Sequence, residues 1–234
     1  TLASEVIFNV QRFETRSSYD FVTYAIDNGY GSGTIYSTKT VRPETNPYDI
    51  EWVPSLEDFA PAYPSSQYVP ITVTISTYLD DGDELVGQQS IPTSLSIPGN
   101  ASTQPAMPSI IVSDDNGYMG DYGAFVQGYS RIKVTLDDCP KAQKFGASSS
   151  IAVFEIASSY DFDDSSNILE SITVNLDFGS ETEIDVDALF SNAEITRSAR
   201  DVYMRVILYD TRHISTESPP YTITIKPYSK PTIS

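Results

Sequence analysis

"YTITIKPYSKPTIS", residues 221–234, decides how this chain is read. Tyr221, Ile223 and Ile225 alternate with Thr222 and Thr224, the period-two pattern of a half-buried strand, and Pro227 stops it. A second proline, Pro231, is followed at once by Thr and Ile, so another strand is expected to start there. The same order occurs once before: "SLSIP" (94–98), a proline-bearing stretch, then "PSI" (108–110). Pro108 and Pro231 stand about 120 residues apart, the length of one β-sandwich and its connector. Two beads of a longer string are therefore expected, with the first residues of a third attached; a first residue other than Met fits that expectation.

Strand signals recur about every ten residues, as sandwiches require. They are "EVIFNVQRF" (5–13), "YDFVTYAI" (19–26), "GTIYSTKTV" (33–41), "YVPITVTISTYL" (68–79) and "SLSIP" in the first half. "SIIVS" (109–113), "RIKVTL" (131–136), "SIAVFEIA" (150–157), "SITVNLDF" (171–178), "VYMRVILYD" (202–210) and "YTITI" (221–225) follow in the second. "PGNASTQPAMP" (98–108) has three prolines and no periodicity, which makes it the linker. "PSLEDFAPAYP" (54–64) reads as a loop with one helical turn started by Ser55, and a second turn is expected near Asp187 and Phe190. The expected architecture is all-β: two consecutive immunoglobulin/fibronectin-like β-sandwich domains in tandem, 1–104 and 105–230, with 231–234 opening a following module.

Composition agrees and excludes several classes. The chain is 40% hydrophobic, with 16 Tyr, 10 Phe, 15 Pro and 12 Gly, residues that suit pleated strands and tight turns. Thirty-two acidic against 14 basic residues give a net charge of −18, which repels phosphate backbones and anionic lipid, so neither nucleic acid nor membrane insertion is expected. The single cysteine, Cys139, excludes an intramolecular disulfide, and its neighbours Asp137 and Asp138 would not activate a thiol. No apolar run approaches the ~20 residues of a membrane-crossing helix.

Three regions carry a family resemblance. "YGAFVQGYSRIKVTLDDCPKAQKFGASSSIAVFEI" (122–156) resembles a module of phage tail proteins in which aromatic-Val-Gln-Gly-x-Ser leads into Arg/Lys-x-Lys-Val and later an aromatic-Gly-Ala turn; the matching residues are Phe125–Gly128, Ser130, Arg131, Lys133, Val134 and Phe145–Ala147. Upstream, "IEWVPSLEDFAPAYPSS" (50–66), "TISTYLDDGDELVG" (74–87) and "LSIP" (95–98) are similar to the preceding module, through Trp52, Pro54, Pro64, Ser66, Thr77, Tyr78 and Gly87. "DTRHISTESPPYTITIKPYSKPTI" (210–233) is similar to the second module's tail, with its Asp-x-Arg turn. The resemblance implies a minor structural protein of a virion, in a tail tip, baseplate-associated part or tail fibre. It implies tail subunits as partners, homo-oligomers and an extracellular, virion location, and it transfers no catalytic motif. The stretch 27–49 is longer and more polar than the family's pattern, which leaves that region's contacts open.

Several constellations could carry chemistry. "LDDGDELVG" (79–87) sets Asp80, Asp81 and Asp83 around Gly82, and "YDFDDSSN" (160–167) offers Asp161, Asp163 and Asp164. Oxygen-rich loops suit Ca²⁺, yet neither has the twelve-residue EF-hand spacing, and Asp-Gly between strands is also an ordinary hairpin tip. Tyr30, Tyr118 and Tyr122 sit in loops with acids and amides, where they could stack sugar rings or simply decorate the surface. His213 is the sole histidine, and it falls in a polar turn where any triad would depend on it alone. A carboxylate pair of glycosidase type cannot be recognised among so many acids. Trp52, the sole tryptophan, is expected as a core plug. The expectation is a non-enzymatic spacer with no obligate cofactor that orients host-adhesion elements toward bacterial surface polysaccharide. The alternative is a bacterial surface adhesin or an accessory carbohydrate-binding sandwich of a secreted protein.

Overall fold

A computed structural model describes residues 6–10, 18–27, 31–38, 48–79 and 84–229. The chain divides into two compact units, Thr1–Thr103 with Phe145–Ala147, and Gln104–Lys144 with Ser148–Ser234.

Unit 2 is a two-layer sandwich. Its strands are β7 (Ser109–Asp114), β8 (Phe125–Val126), β9 (Ile132–Pro140), β10 (Ser149–Ala157), β11 (Ile168–Asn175), β12 (Glu183–Leu189), β13 (Arg200–Asp210), β14 (Ser215–Glu217) and β15 (Tyr221–Lys226). One sheet has the order β12-β9-β7 and the other β11-β10-β13-β15-β8, with β14 also pairing β13. All pairings are antiparallel except β15 with β8. The seven longest strands thus distribute as first, second and fifth against fourth, third, sixth and seventh, the crossed connectivity of immunoglobulin- and fibronectin-like sandwiches. Alternation along β9 and β10 buries Ile132, Val134 and Leu136 from one layer against Ala152, Phe154 and Ile156 from the other, and Val202, Met204, Val206 and Leu208 of β13 complete the centre.

Unit 1 repeats this plan with fewer strands. It contains β1 (Val6–Val10), β2 (Ser18–Ile26), β3 (Gly31–Thr38), β4 (Tyr48–Trp52), β5 (Tyr68–Leu79) and β6 (Leu85–Ser96), in sheets β1-β4 and β3-β2-β5-β6. The third and sixth strand positions pair antiparallel in both units. Val22, Tyr24 and Ile26 oppose Ile75, Val73 and Ile71, as Ala152, Phe154 and Ile156 oppose Leu208, Val206 and Met204. A helical turn precedes the sixth-strand position in both: α1 (Leu56–Phe59) before β5 and α3 (Ala193–Thr196) before β13.

Four sequence expectations change. The second helical turn lies at α3, because Asp187 belongs to β12, where it accepts from Thr135 and pairs with Lys133 at 2.7 Å across the sheet. Ser55 occupies the N-cap position of α1 but its side chain makes no capping bond, whereas Asn192 caps α3 by accepting from the Glu194 amide. β6 begins at Leu85 rather than Ser94: as an edge strand it tolerates Gly87 and Pro92, the residues that break the sequence signal. Trp52 is half-buried against Tyr24, ring centroids 4.8 Å apart, rather than sealed in the core.

Gly128 shows why one turn demands its residue. It sits at φ +72°, where a side chain would meet no neighbour within 4 Å, so any cost of substitution is backbone strain alone. Gly128→Ala is expected to destabilise unit 2 by about 1–2 kcal/mol, read as a shift in urea midpoint at unchanged slope.

Candidate functional site

The tyrosines nominated by sequence do not converge. Tyr30 lies outside the described residues, while Tyr118 and Tyr122 begin and end α2 (Tyr118–Tyr122). Tyr118 joins a cluster the sequence did not nominate: its ring meets Tyr129 edge-on at 5.9 Å, and Tyr129 meets Tyr228 at 4.5 Å. Tyr129 and Tyr228 are both exposed. Beside them opens a cleft of about 200 Å³ lined by Asn116, Tyr129, Arg131, Ser191 and Asn192 among others. Aromatic faces next to amides, hydroxyls and a guanidinium are the surface chemistry that sugars use.

Most polar groups here already have work. Asn116 Nδ2 donates to the Tyr129 carbonyl at 2.7 Å, and Asp114 accepts from Ser130 Oγ and from the Arg131 and Asn116 amides. Glu170 accepts from the Ser191 and Asn192 amides, both at 3.0 Å. These bonds fix the cleft walls. Tyr129 and Tyr228 come together because the turn after β8 and the end of β15 lie at one end of the sheet, where β8 and β15 pair. Only Tyr129's position after Gly128 hinted at this in the sequence, since a left-handed glycine turns the chain there.

Of the acidic loops, Asp80, Asp81 and Asp83 lie outside the described residues. Asp161, Asp163 and Asp164 occupy the loop between β10 and β11, where the carboxylates serve the backbone. Asp161 Oδ1 accepts from the Asp163 amide at 3.1 Å, and Asp164 Oδ1 accepts from the Ser166 amide at 2.9 Å. Hydrogen bonding from the Ser166 side chain, and then from its amide, holds the Asp164 carboxyl below its usual range. The loop is pinned by Phe162, buried beneath Arg205, whose guanidinium carbon stands 4.7 Å from the ring centroid. Arg205 also donates to Glu155 at 2.7 Å and Glu217 at 3.1 Å. Among the described residues, one group of three acids, Asp137, Asp138 and Asp185, brings an oxygen from each within 4.8 Å of the others, at a register shift between β9 and β12. One oxygen from each gives three of the six to eight that Ca²⁺ takes.

His213 is exposed at φ +63° in the turn from β13 to β14. Beneath it, Asp210 is fully buried; its Oδ1 accepts from the Arg212 and Ile214 amides, at 2.8 and 3.0 Å, while Oδ2 has no hydrogen-bond partner. Arg212, also buried, donates to the Lys144 carbonyl at 3.1 Å. Burial raises the Asp210 carboxyl above its ordinary value, opposed by those two amides and by Arg212. Burial raises the Cys139 thiol as well, which keeps it protonated and inert.

A carboxyl raised on folding adds stability below its unfolded value, about 3.9, that is lost as pH rises through the folded value. Asp210→Asn is therefore expected to flatten the stability profile above about pH 4, measured by denaturant titration of both proteins at pH 4, 5.5 and 7. Because the 161–167 loop is held by its own amides, adding Ca²⁺ or a chelator is expected to leave the unfolding temperature unchanged within about 1 °C by calorimetry.

No family model matches the chain, and no curated protein matches it in sequence. Among solved structures it is similar to the chicken CNTN1 FN1–FN3 domains, at 11% identity and a TM-score of 0.34, over 95% of this chain and 62% of that one. It is also similar to the fibronectin(III)-like modules of Clostridium thermocellum CbhA, at 12% identity and a TM-score of 0.29, over 95% and 85%. The chain thus spans about three fifths of the length of the first of these neighbours.

Proposed function

We propose that this chain is a structural segment of a tailed-phage tail, in a tail-tip, baseplate-associated or fibre protein, whose tandem sandwiches space and orient host-adhesion elements. The observation that carries this reading is the repetition of one strand order, with a helical turn before the sixth strand position, in two successive units. Repeated rigid beads suit a part that spans distance. The resemblance of the 122–156 and 50–98 stretches to phage tail modules supplies the setting. Its partners in this reading are other tail subunits and further copies of the chain, and its location is the virion. The strong negative charge supports it by keeping sheet edges from pairing indiscriminately.

The Tyr118, Tyr129 and Tyr228 cluster favours a second role, contact with bacterial surface polysaccharide, in a tail or in a bacterial adhesin. Two measurements separate the readings. Mass spectrometry and antibody labelling of purified virions should find the chain on tails; its absence there with presence on bacterial envelopes would select the adhesin. Cosedimentation with wall polysaccharide should fall at least about tenfold in Tyr129→Ala if the cluster binds sugar, since a lost stacking anchor costs about 1.4 kcal/mol or more.

A further inference from the structure

Alternation along β2 and β5 buries Val22, Ile26, Ile71 and Val73 on the inner side of the four-stranded sheet of unit 1, which turns Thr23 and Thr74 outward. The registers set them in one row. Thr34 of β3 stands opposite Thr23, Thr23 opposite Thr74, and Thr74 opposite Ser90 of β6. Four hydroxyls thus cross the whole sheet, a row about 14 Å long at a strand spacing of about 4.8 Å. Thr34, Thr23 and Ser90 are exposed and Thr74 is half-buried. The next row on one side is Phe21, Ser76 and Gln88, and on the other Ser32, Ala25 and Thr72.

None of these side chains is charged, although charged residues make up 20% of the chain and its net charge is −18. The sandwich plan does not impose this: the corresponding outer face of unit 2 carries Glu155, Asp201, Arg205 and Lys226. Side-chain bonds orient the uncharged face. The Thr74 and Ser90 hydroxyls share a hydrogen bond at 2.9 Å, and Gln88 Nε2 donates to Ser76 Oγ at 3.0 Å. Phe21, 37% exposed, is held edge-on to Tyr78 with ring centroids 5.3 Å apart. Among the described residues, the acid bonded to this face is Asp27, which accepts from Thr72 at 3.2 Å, outside the hydroxyl row.

We propose that this face binds a neutral polysaccharide, laid along the hydroxyl row across the strands with one sugar ring against Phe21. The chemistry of the face selects that occupant. A hydroxyl both donates and accepts, which is what each sugar hydroxyl asks of its partner. An anionic polymer would find no cation in these rows and would be repelled by the acidic chain, and a cationic one would find no carboxylate in the hydroxyl row. A protein partner or a second copy needs an apolar centre that excludes water, whereas this face offers hydroxyls around a single large ring. Hydroxyls already oriented by their neighbours lower the ordering cost of binding. The site lies within unit 1, and it stands whether or not the chain belongs to a tail and whether or not the Tyr129 cluster holds sugar.

The test is affinity electrophoresis of the whole chain through gels containing dextran, galactomannan or hydroxyethylcellulose as neutral polymers, or carboxymethylcellulose as an anionic one. At least one neutral polymer is expected to retard the chain saturably, and carboxymethylcellulose is expected not to. Thr23→Val combined with Thr74→Val removes two hydroxyls at nearly constant shape and strand preference, and is expected to weaken binding at least about tenfold. Thr34→Lys, at an exposed position of the edge strand β3, is expected to do the same, while Thr173→Val, exposed on β11, leaves binding unchanged. The proposal is overturned if no neutral polymer retards the chain with a dissociation constant of about 1 mM or better. It is equally overturned by equal retardation in carboxymethylcellulose or by binding indifferent to the Thr23, Thr74 and Thr34 changes. Loss of binding in Tyr129→Ala with those three changes silent would place the sugar on the tyrosine cluster and overturn it as well.

Discussion

Two sheets can share one dry interior only if every strand presents its apolar face on the same side, and the inward rows of β9, β10 and β13 meet that constraint in unit 2. Phe154 is fully buried between Val206 on one neighbour and Ile172 on the other, with the opposite layer beneath. A slip of one residue along either ladder would turn Phe154 to solvent and bring Glu155 inward. Glu155 instead holds Arg205 on the outer face, and Arg205 in turn covers Phe162 and pins the acidic loop. Loop position, ion pair and core therefore share one register.

The same constraint explains the contrast between the units. Unit 1 keeps the order of the four-stranded sheet, and Val22, Val69, Ile71 and Val73 are fully buried on it. Its second layer is two strands wide among the described residues. Phe8 and Trp52 on that layer and Tyr24 on the four-stranded sheet are each half-buried. Their size keeps apolar area out of water where neighbouring backbone does not.

Acidic residues contribute little cohesion and much order. Lys133 and Asp187 pair at an exposed sheet surface, where such contacts are worth little. Asp114, Asp161, Asp164, Glu170 and Asp210 accept from backbone amides in loops and turns, so these carboxylates act as turn-formers. A high count of acids in loops is thus explained by local backbone satisfaction before any ligand is invoked.

Strand positions were legible in the sequence wherever alternation was clean, as at 68–79, 150–157 and 202–210, because a period of two dictates a face regardless of partners. The tandem plan was legible for the same reason, in the strand, proline, strand order around Pro108; the further module expected from 231–234 lies outside the described residues. Hidden were the elements whose identity depends on neighbours: β4 and β12, short and rich in acids, and the long arm of β6, which contains Gly87 and Pro92. Edge position makes those residues tolerable, and an edge exists only once the sheet is assembled. The tyrosine cluster followed the same rule, since Tyr129 and Tyr228 lie far apart in sequence and meet through the parallel pairing of β8 with β15. Sequence alone determined the class of fold and its repetition, because those rest on local periodicity. Tertiary structure decided which carboxylates serve turns and which rings meet, because those depend on long-range strand pairing that local periodicity does not encode.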